Sequence, residues 1–444
     1  MITRRHFLGT TSAAALVLSN AAAQGTKVSA NDRIQIALIG CGGMGQGDAR
    51  SSTSVPGVKL VAAADIYDGR LRHMKELFGK DILATRDYRE VLARKDVDAV
   101  LIGTPDHWHS RISIDALNAG KDVYCQKPMV QLLHDGPAVL EAQQRTRRIL
   151  QVGSQRVSSI VYKKAQDLYR SGAIGQLNMV EAWWDRNSAI GAWQYSIPLD
   201  ASPATIDWDR FLGRAPKRPF DPIRLFRWRN YRDYGTGVGG DLFVHLFSGT
   251  HFVLGSDGPN RIFATGGLRY WKDGRDVPDV LMGFYDYPKT RSHPEFTLAL
   301  RVNFKSGTAD SSGFRFIGSE GILTIGGGVT ITRTPNEREP GYNIDTFAKA
   351  IQDEYIKKYR QDFPVELPTV ESMRDTREEH YYTPEGYSDQ YHHHQNFIEA
   401  VRHRTPVVED AVFGYRAAAP ALASNLSYFE RRVVKWDPEA MREV

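Results

Sequence analysis

Three short stretches carry residue types that could act together on one small molecule. The first is Gly40-Cys41-Gly42-Gly43-Met44-Gly45, directly after the apolar run Ile34–Ile39. Glycines at 40, 42 and 45 have the spacing of a dinucleotide turn: a tight bend, close approach of a pyrophosphate, and close packing of helix on strand. A helix opening there would direct its first N–H groups at the phosphates. A second apolar run, Lys59–Ala64, ends in Asp65. A carboxylate at that distance can accept both ribose hydroxyls and repels a 2′-phosphate, so NAD is favoured over NADP, with Arg70 and Arg72 nearby as the opposing feature. The second stretch is Gly103-Thr104-Pro105-Asp106-His107-Trp108-His109. The third is Asp122–Val130, DVYCQKPMV, where Lys127 stands directly before Pro128. The proline steers the lysine backbone away from the α region and restricts where the ammonium can point.

These residues need elements that bring them to one edge. From Arg33 to about Gln155, short apolar runs alternate with helical patterns, which predicts βαβ units in a doubly wound parallel sheet. Strands are expected at Ile34–Ile39, Lys59–Ala64, Ala99–Gly103, Asp122–Cys125 and Ile149–Val152. Thr104, Pro105, His109, Gln126 and Lys127 then follow strand C-termini, the edge where such sheets hold ligands. Beyond Gln155 the pattern changes. Strands at Leu177–Trp184, Arg261–Gly267, Val280–Tyr285, Thr297–Asn303, Gly313–Gly318 and Ile322–Ile325 suit an open, mainly antiparallel sheet with one helical face. The expected organisation is a nucleotide domain over 33–155 and an α+β domain over 156–436, with helices in 390–431 packed back on the first. Trp193–Tyr234 and Thr334–Tyr391 lack clean periodicity, and aperiodic segments that long are uncommon unless functional.

Composition narrows the classes. The chain has 444 residues, 41% apolar and 25% charged, with a net charge of +5, as in ordinary globular proteins. No basic block suggests nucleic acid, and no apolar run long enough for a stable membrane anchor is present. Cys41 and Cys125 are the only cysteines, so no disulfide framework is expected. His392-His393-His394 lacks a second cluster at ligand spacing, and no metal is expected. The first residues read differently. Arg4-Arg5, a weakly apolar stretch to Leu18 and Ala21-Ala22-Ala23 form the pattern of a twin-arginine export signal over 1–23, implying a periplasmic protein. Outside the cytoplasm free dinucleotide is scarce, so the cofactor would have to be bound before export and retained.

Taken together, GCGGMG, TPDHWH and YCQKP resemble the glucose–fructose oxidoreductase/inositol dehydrogenase (Gfo/Idh/MocA) family. The resemblance continues through Asp233-Tyr234-Gly235-Thr236-Gly237, Asp241 and His245, to Asn396–Val401 and Lys435–Pro438. It implies a Rossmann domain, a second α/β domain whose open sheet makes homo-oligomer contacts, and a catalytic set falling on Lys127, Asp241 and His245. On a helix, Asp241 and His245 would share a face. An imidazole can take an alcohol proton, and an ammonium can stabilise the developing alkoxide. Where the family usually has Glu, this chain has Gln126. Loss of that charge beside Lys127 would lower the lysine pKa, and the change either tunes the chemistry or signals its loss.

The expected activity is NAD-dependent oxidation of a ring hydroxyl of a sugar or glycoside, C3 being one option, with Gln155, Arg156 and Tyr234 on the substrate side. Two alternatives stand beside it. One is a redox-neutral NAD-dependent glycosidase or lyase working by oxidation, elimination and hydration. The other is a non-catalytic NAD- or sugar-binding protein, favoured only by Gln126.

Overall fold

The computed structural model describes residues 33–333, 341, 343–365 and 377–444. The proposed export signal lies outside the described residues.

The first domain begins with β1 (Ile34–Ile39), α1 (Gly43–Thr53), β2 (Val58–Ala64), α2 (Asp68–Phe78), β3 (Leu83–Thr85) and α3 (Tyr88–Leu92). It continues with β4 (Ala99–Ile102), α4 (His109–Asn118), β5 (Asp122–Cys125), α5 (Gly136–Thr146) and β6 (Leu150–Val152). The six strands form a parallel sheet in the order β3-β2-β1-β4-β5-β6. Helices cover both faces, so β1 (IQIALI), β4 (AVLI) and β5 (DVYC) are buried along almost their whole length rather than alternating. The order reverses between β1 and β4, and a crevice opens there at the strand C-termini.

A 3₁₀ turn (Gln155–Ser158) leads to α6 (Ile160–Arg170) and β7 (Leu177–Asp185). Next come short helices α7 (Trp208–Leu212) and α8 (Pro222–Phe226), then α9 (Val244–Leu254). Strands β8 (Arg261–Gly267), β9 (Val280–Tyr287), β10 (Phe296–Asn303), β11 (Ser311–Gly318), β12 (Gly321–Ile325) and β13 (Val329–Arg333) follow. The chain closes with α10 (Lys349–Asp362), β14 (Glu378–Tyr381), α11 (Asp389–His403), α12 (Ala411–Glu430), β15 (Val434–Asp437) and β16 (Arg442–Glu443). The second sheet has ten strands, β14-β13-β12-β11-β7-β10-β9-β8-β15-β16. Only β7 and β10 pair in parallel; the other neighbours are antiparallel. Its strands alternate, one face packed on α6, α9 and α12 and the other exposed.

Two parts of this fold were not visible as patterns. Strands β3 and β13–β16 are too short or too polar to stand out. The aperiodic segment 193–234 carries α7 and α8 and its own apolar cluster, in which Trp208, Phe211, Phe226 and Tyr234 pack around Tyr67 of the first domain. The late helices serve both domains. Phe397, Ile398 and Val401 of α11 pack on β1 and α1, while α12 lies against β8, α9 and α5.

Candidate active site

The glycine turn has the shape its spacing requires. Gly40 takes a positive φ of 91°, and a Cβ there would sit 2.5 Å from the Thr104 nitrogen. A Cβ on Gly45 would come within 2.1 Å of the Gly40 carbonyl oxygen. These two glycines let the turn pack backbone to backbone against the end of β4. Around Gly43 the space is open to at least 4 Å, and Gly42 caps α1 with no side-chain hydrogen bond. The first N–H groups of α1 therefore meet open space, as an anion cradle needs. Asp65 is buried; one carboxylate oxygen accepts from the Cys41 N–H at 2.7 Å and the other from the Tyr67 N–H at 3.0 Å. Arg70 stands 3.6 Å away. Each oxygen keeps a second lone pair for a ribose hydroxyl.

Gly40, Gly42, Gly43, Met44, Asp65, Thr104 and Pro105 line one cavity of about 430 Å³. The Thr104 hydroxyl is buried without a partner among the described residues, another group fitting a polar ligand. Cys41 contributes its main chain only, since its thiol is buried and reaches the Ala64 carbonyl. The far wall comes from the second domain: Tyr195, Arg210, Phe211, Phe226, Trp228 and Arg229. Residues 195–229 thus form a strap across the crevice. It is tied down by main-chain bonds from Asp68 to Thr205 (3.0 Å) and from Asp207 to Ile66 (2.9 Å). Trp108 Nε1 donates to the Phe211 carbonyl at 3.0 Å, and the Tyr67 hydroxyl donates to Asp200.

Arg229, on the wall of this cavity, meets the predicted catalytic residues. Its Nε lies 3.1 Å from Asp241 Oδ1. Lys127 Nζ donates to the same oxygen at 3.0 Å and to the Asp241 main-chain oxygen at 2.8 Å. Lys127 and Asp241 are almost closed to solvent. The Lys127–Pro128 peptide is cis. Asp241 sits not in a regular α-helix but in a π-turn, Gly239–Phe243, that runs into α9; such turns often mark functional sites. His245 follows on α9, its ring 4.8 Å from that of Trp184. Its Nδ1 is buried without a partner among the described residues, which leaves Nε2 as the nitrogen that can meet a hydroxyl.

The electrostatics follow from this packing. Burial alone would raise the Asp241 pKa, but the Lys127 and Arg229 charges override it and keep the carboxylate ionised. Burial lowers the Lys127 pKa; Asp241 opposes the shift and Arg229 adds to it. His245 is held well below its ordinary value by burial and by the Lys127 and Arg156 charges. It is therefore a neutral base at neutral pH. Lys127, Asp241 and His245 are thus brought together, and Arg229 joins them. Sequence reasoning missed Arg229; the signal was the arginine-rich run Arg224–Arg232 just before the Asp233-Tyr234-Gly235 anchor.

Several expectations need correction. Gln126 does not lie beside the Lys127 ammonium. Its Nε2 donates to Asp48 Oδ2 at 2.8 Å, inside the first domain, and Asp48 also holds His394 at 3.1 Å. Glu here would set two buried carboxylates against each other, which is a physical reason for Gln. Gln126→Glu should therefore destabilise the fold by about 3 kcal/mol in denaturant unfolding. Adding Asp48→Asn, which reverses the donor and acceptor, should recover most of it; equal stability of wild type and Gln126→Glu would refute this account.

His109 is not a cavity-lining ligand. Its ring nitrogens lie 2.7 Å from the Pro128 carbonyl and 2.9 Å from the Thr104 carbonyl, so it ties the two segments together. Tyr234 is fully buried, packed on His107 and Phe211 rather than facing a substrate space. Gln155 reaches the Tyr124 hydroxyl at 3.4 Å. Arg156 lies 4.4 Å over the Trp184 ring, which also packs on His245. His393 bonds Ser158 and the Val152 carbonyl, while His394 bonds Ser52 and Asp48, so the consecutive histidines face different partners.

Burial takes His107 and His109 each down to about 4, against the carbonyls they face. Unfolded, each binds a proton below about 6.5. Their folded values are depressed, so the stability they contribute is complete above about pH 6.5 and is lost as pH falls toward 4. Thermal unfolding should show Tm dropping across that window, and less steeply in His107→Asn; parallel curves would exclude this origin.

Known proteins complete the picture. Residues 34–154 match the Gfo/Idh/MocA oxidoreductase family, NAD-binding Rossmann fold, and residues 188–264 match its C-terminal alpha/beta domain. Inositol 2-dehydrogenase of Salmonella paratyphi B is 32% identical over 149 residues, 33% of this chain and 44% of that protein. The Gluconacetobacter diazotrophicus enzyme of the same name is 33% identical over 158 residues, 35% of this chain and 47% of that protein. The chain thus spans about half the length of the curated relatives it matches. Among solved structures, levoglucosan dehydrogenase in complex with NADH and L-sorbose superposes with a TM-score of 0.66 at 16% identity, covering 91% of this chain and 98% of that one. An NAD binding oxidoreductase from Klebsiella pneumoniae gives 0.63 at 19%, covering 91% and 99%. These structures share the fold: a parallel nucleotide sheet followed by a large mixed sheet. Both domain models of that family are thus matched in chain order around the cleft just described.

Proposed function

We propose that this protein is an NAD-dependent oxidoreductase that oxidises a ring hydroxyl of a sugar or glycoside and keeps its cofactor bound. The observation that carries the reading is the meeting of Lys127 and Asp241, four residues before His245, with Arg229, which also lines the dinucleotide cavity. Bound NAD⁺ would supply the hydride acceptor. Asp65, the α1 N-terminus and Thr104 hold the dinucleotide. His245, neutral and with Nε2 free, takes the substrate hydroxyl proton as the carbinol carbon gives up its hydride and becomes a carbonyl. Lys127 places positive charge on the oxygen as it turns to alkoxide, and Asp241 fixes the lysine through two acceptors.

The strap over residues 195–229 supports retention, since it lies across the crevice and is tied to the first domain by main-chain hydrogen bonds. A retained cofactor must be reset, either by a carbonyl co-substrate that takes the hydride back or within a redox-neutral cleavage of the glycoside. The non-catalytic alternative loses its motive, because Gln126 serves Asp48 and not the lysine. Acid release of nucleotide from the purified protein, then incubation with a glycoside panel with and without an acceptor, tests the reading. A keto sugar with acceptor supports it; free aglycone without net NADH identifies the cleavage cycle; absence of bound nucleotide rejects both.

Export by the twin-arginine route belongs to the same proposal and is tested by cell fractionation of wild type against Arg4→Lys/Arg5→Lys. So does self-association through the open sheet face. On that face Phe263 pairs with Phe284 across β8 and β9, Met282 lies beside them, and all three are exposed. Sedimentation velocity decides it.

A further inference from the structure

The neighbourhood of His245 holds more positive charge than the catalytic scheme uses. Lys127 and Arg229 share one carboxylate, Asp241. Arg156 has no carboxylate within 4 Å among the described residues; its hydrogen bond is to a neutral hydroxyl, Ser312 Oγ at 3.5 Å. Its guanidinium lies over Trp184, the ring that also packs on His245. Arg186, two residues past Trp184 at the end of β7, donates to the Gly191 carbonyl at 2.7 Å and likewise has no carboxylate partner among the described residues. Its charge still acts on both Asp241 and His245.

The other acids nearby do not balance this set. Asp106 is turned to Thr236, whose N–H and hydroxyl it accepts at 3.0 and 2.8 Å, and burial pushes its pKa up to about 7. Asp185 pairs with Arg301 at 3.0 Å. Glu409, behind Ser154 and Ser248, is fully buried, and that burial raises its pKa well above the ordinary carboxylate value. Lys127, Arg229 and Arg186 thus act on one ionised carboxylate, Asp241, while Lys127, Arg156 and Arg186 act on His245, and an oxidised nicotinamide ring would bring a further positive charge.

Resting on the functional reading above, we propose that the substrate is an anionic sugar, a uronic acid or its glycoside, whose carboxylate is held by Arg156 with Arg186 in support. A guanidinium presents two parallel N–H donors that match a carboxylate, and Arg156 is not otherwise committed to one. A carboxylate there neutralises charge that the protein leaves unbalanced, and it anchors the ring next to the His245 imidazole.

The test is a binding measurement that does not need turnover. Tryptophan fluorescence of the purified holoprotein, which Trp184 makes sensitive to this site, is titrated with glucuronate against glucose and galacturonate against galactose, with the methyl glycosides of each. At least one uronate should bind about 10-fold or more tighter than its neutral parent, and the gap should shrink in high salt. Arg156→Gln should remove the preference while the protein keeps its nucleotide. Neutral sugars binding as tightly as their uronates throughout, an undiminished preference in Arg156→Gln, or inorganic phosphate outcompeting every uronate would each overturn the proposal. A uronate preference without any keto product would keep the anion site and reject the dehydrogenase. Turnover of a neutral sugar with no uronate preference would do the reverse.

Discussion

Lys127→Ala is expected to lower kcat by roughly 10³-fold while the nucleotide stays bound. The ammonium is the cation that the structure fixes most firmly at the site, with the main-chain oxygen and Oδ1 of Asp241 both within 3.0 Å. Its removal takes away the charge that stabilises an alkoxide and one of the charges that keep Asp241 ionised. Arg229 remains against Asp241 at 3.1 Å, so the carboxylate is not stranded and the fold should survive. The glycine turn, Asp65 and the strap are untouched, so nucleotide content measured after acid release should match wild type. Lys127→Arg separates charge from geometry: the longer planar group cannot reach both acceptors in the same way, and activity should stay low. Wild-type turnover in Lys127→Ala would remove the lysine from the mechanism.

Gly45→Val should yield protein with little or no bound nucleotide. Even the first added carbon would lie 2.1 Å from the Gly40 carbonyl oxygen. That atom is backbone in a strained turn packed on the end of β4, so it cannot swing aside as a side chain could. The turn must open, and overpacking of this kind costs about 3 kcal/mol, equivalent to roughly 100-fold in affinity. Gly43→Ala is the control, because nothing lies within 4 Å of its added Cβ. It should fold normally and lose affinity only by crowding the phosphates. If Gly45→Val purified with a full complement of nucleotide, the turn would not be the binding element.

The nucleotide side was readable because it depends on local chain geometry. Gly40, Gly42, Gly45 and Asp65 act through backbone bends and strand ends, which sequence spacing encodes directly. Lys127 was readable for the same reason, standing at a strand end before a proline. What failed were contacts between residues far apart in the chain. Gln126 looked like a partner of its neighbour Lys127, but it bonds Asp48, 78 positions away. Asp48 in turn needs His394, 346 positions away. Tyr234 adjoins the catalytic segment in sequence yet turns inward among aromatics of the strap. Arg229 sits in a segment without periodicity, where no pattern says which of several arginines faces inward. The surplus of cations around Arg156 belongs to no motif; it appears only when four separate segments converge.

The pairing of α11 with α1 bears on how the molecule is assembled. The lobe that leaves the ribosome first is finished by a helix made near the end. Until that helix arrives, Asp48 lacks its imidazole and the outer flank of β1 and α1 stays uncovered. A fragment ending at residue 155 should therefore be aggregation-prone on its own, and nucleotide capture should follow chain completion rather than accompany synthesis. Swapping the leading lobe between relatives would succeed only if this distant helix travelled with it.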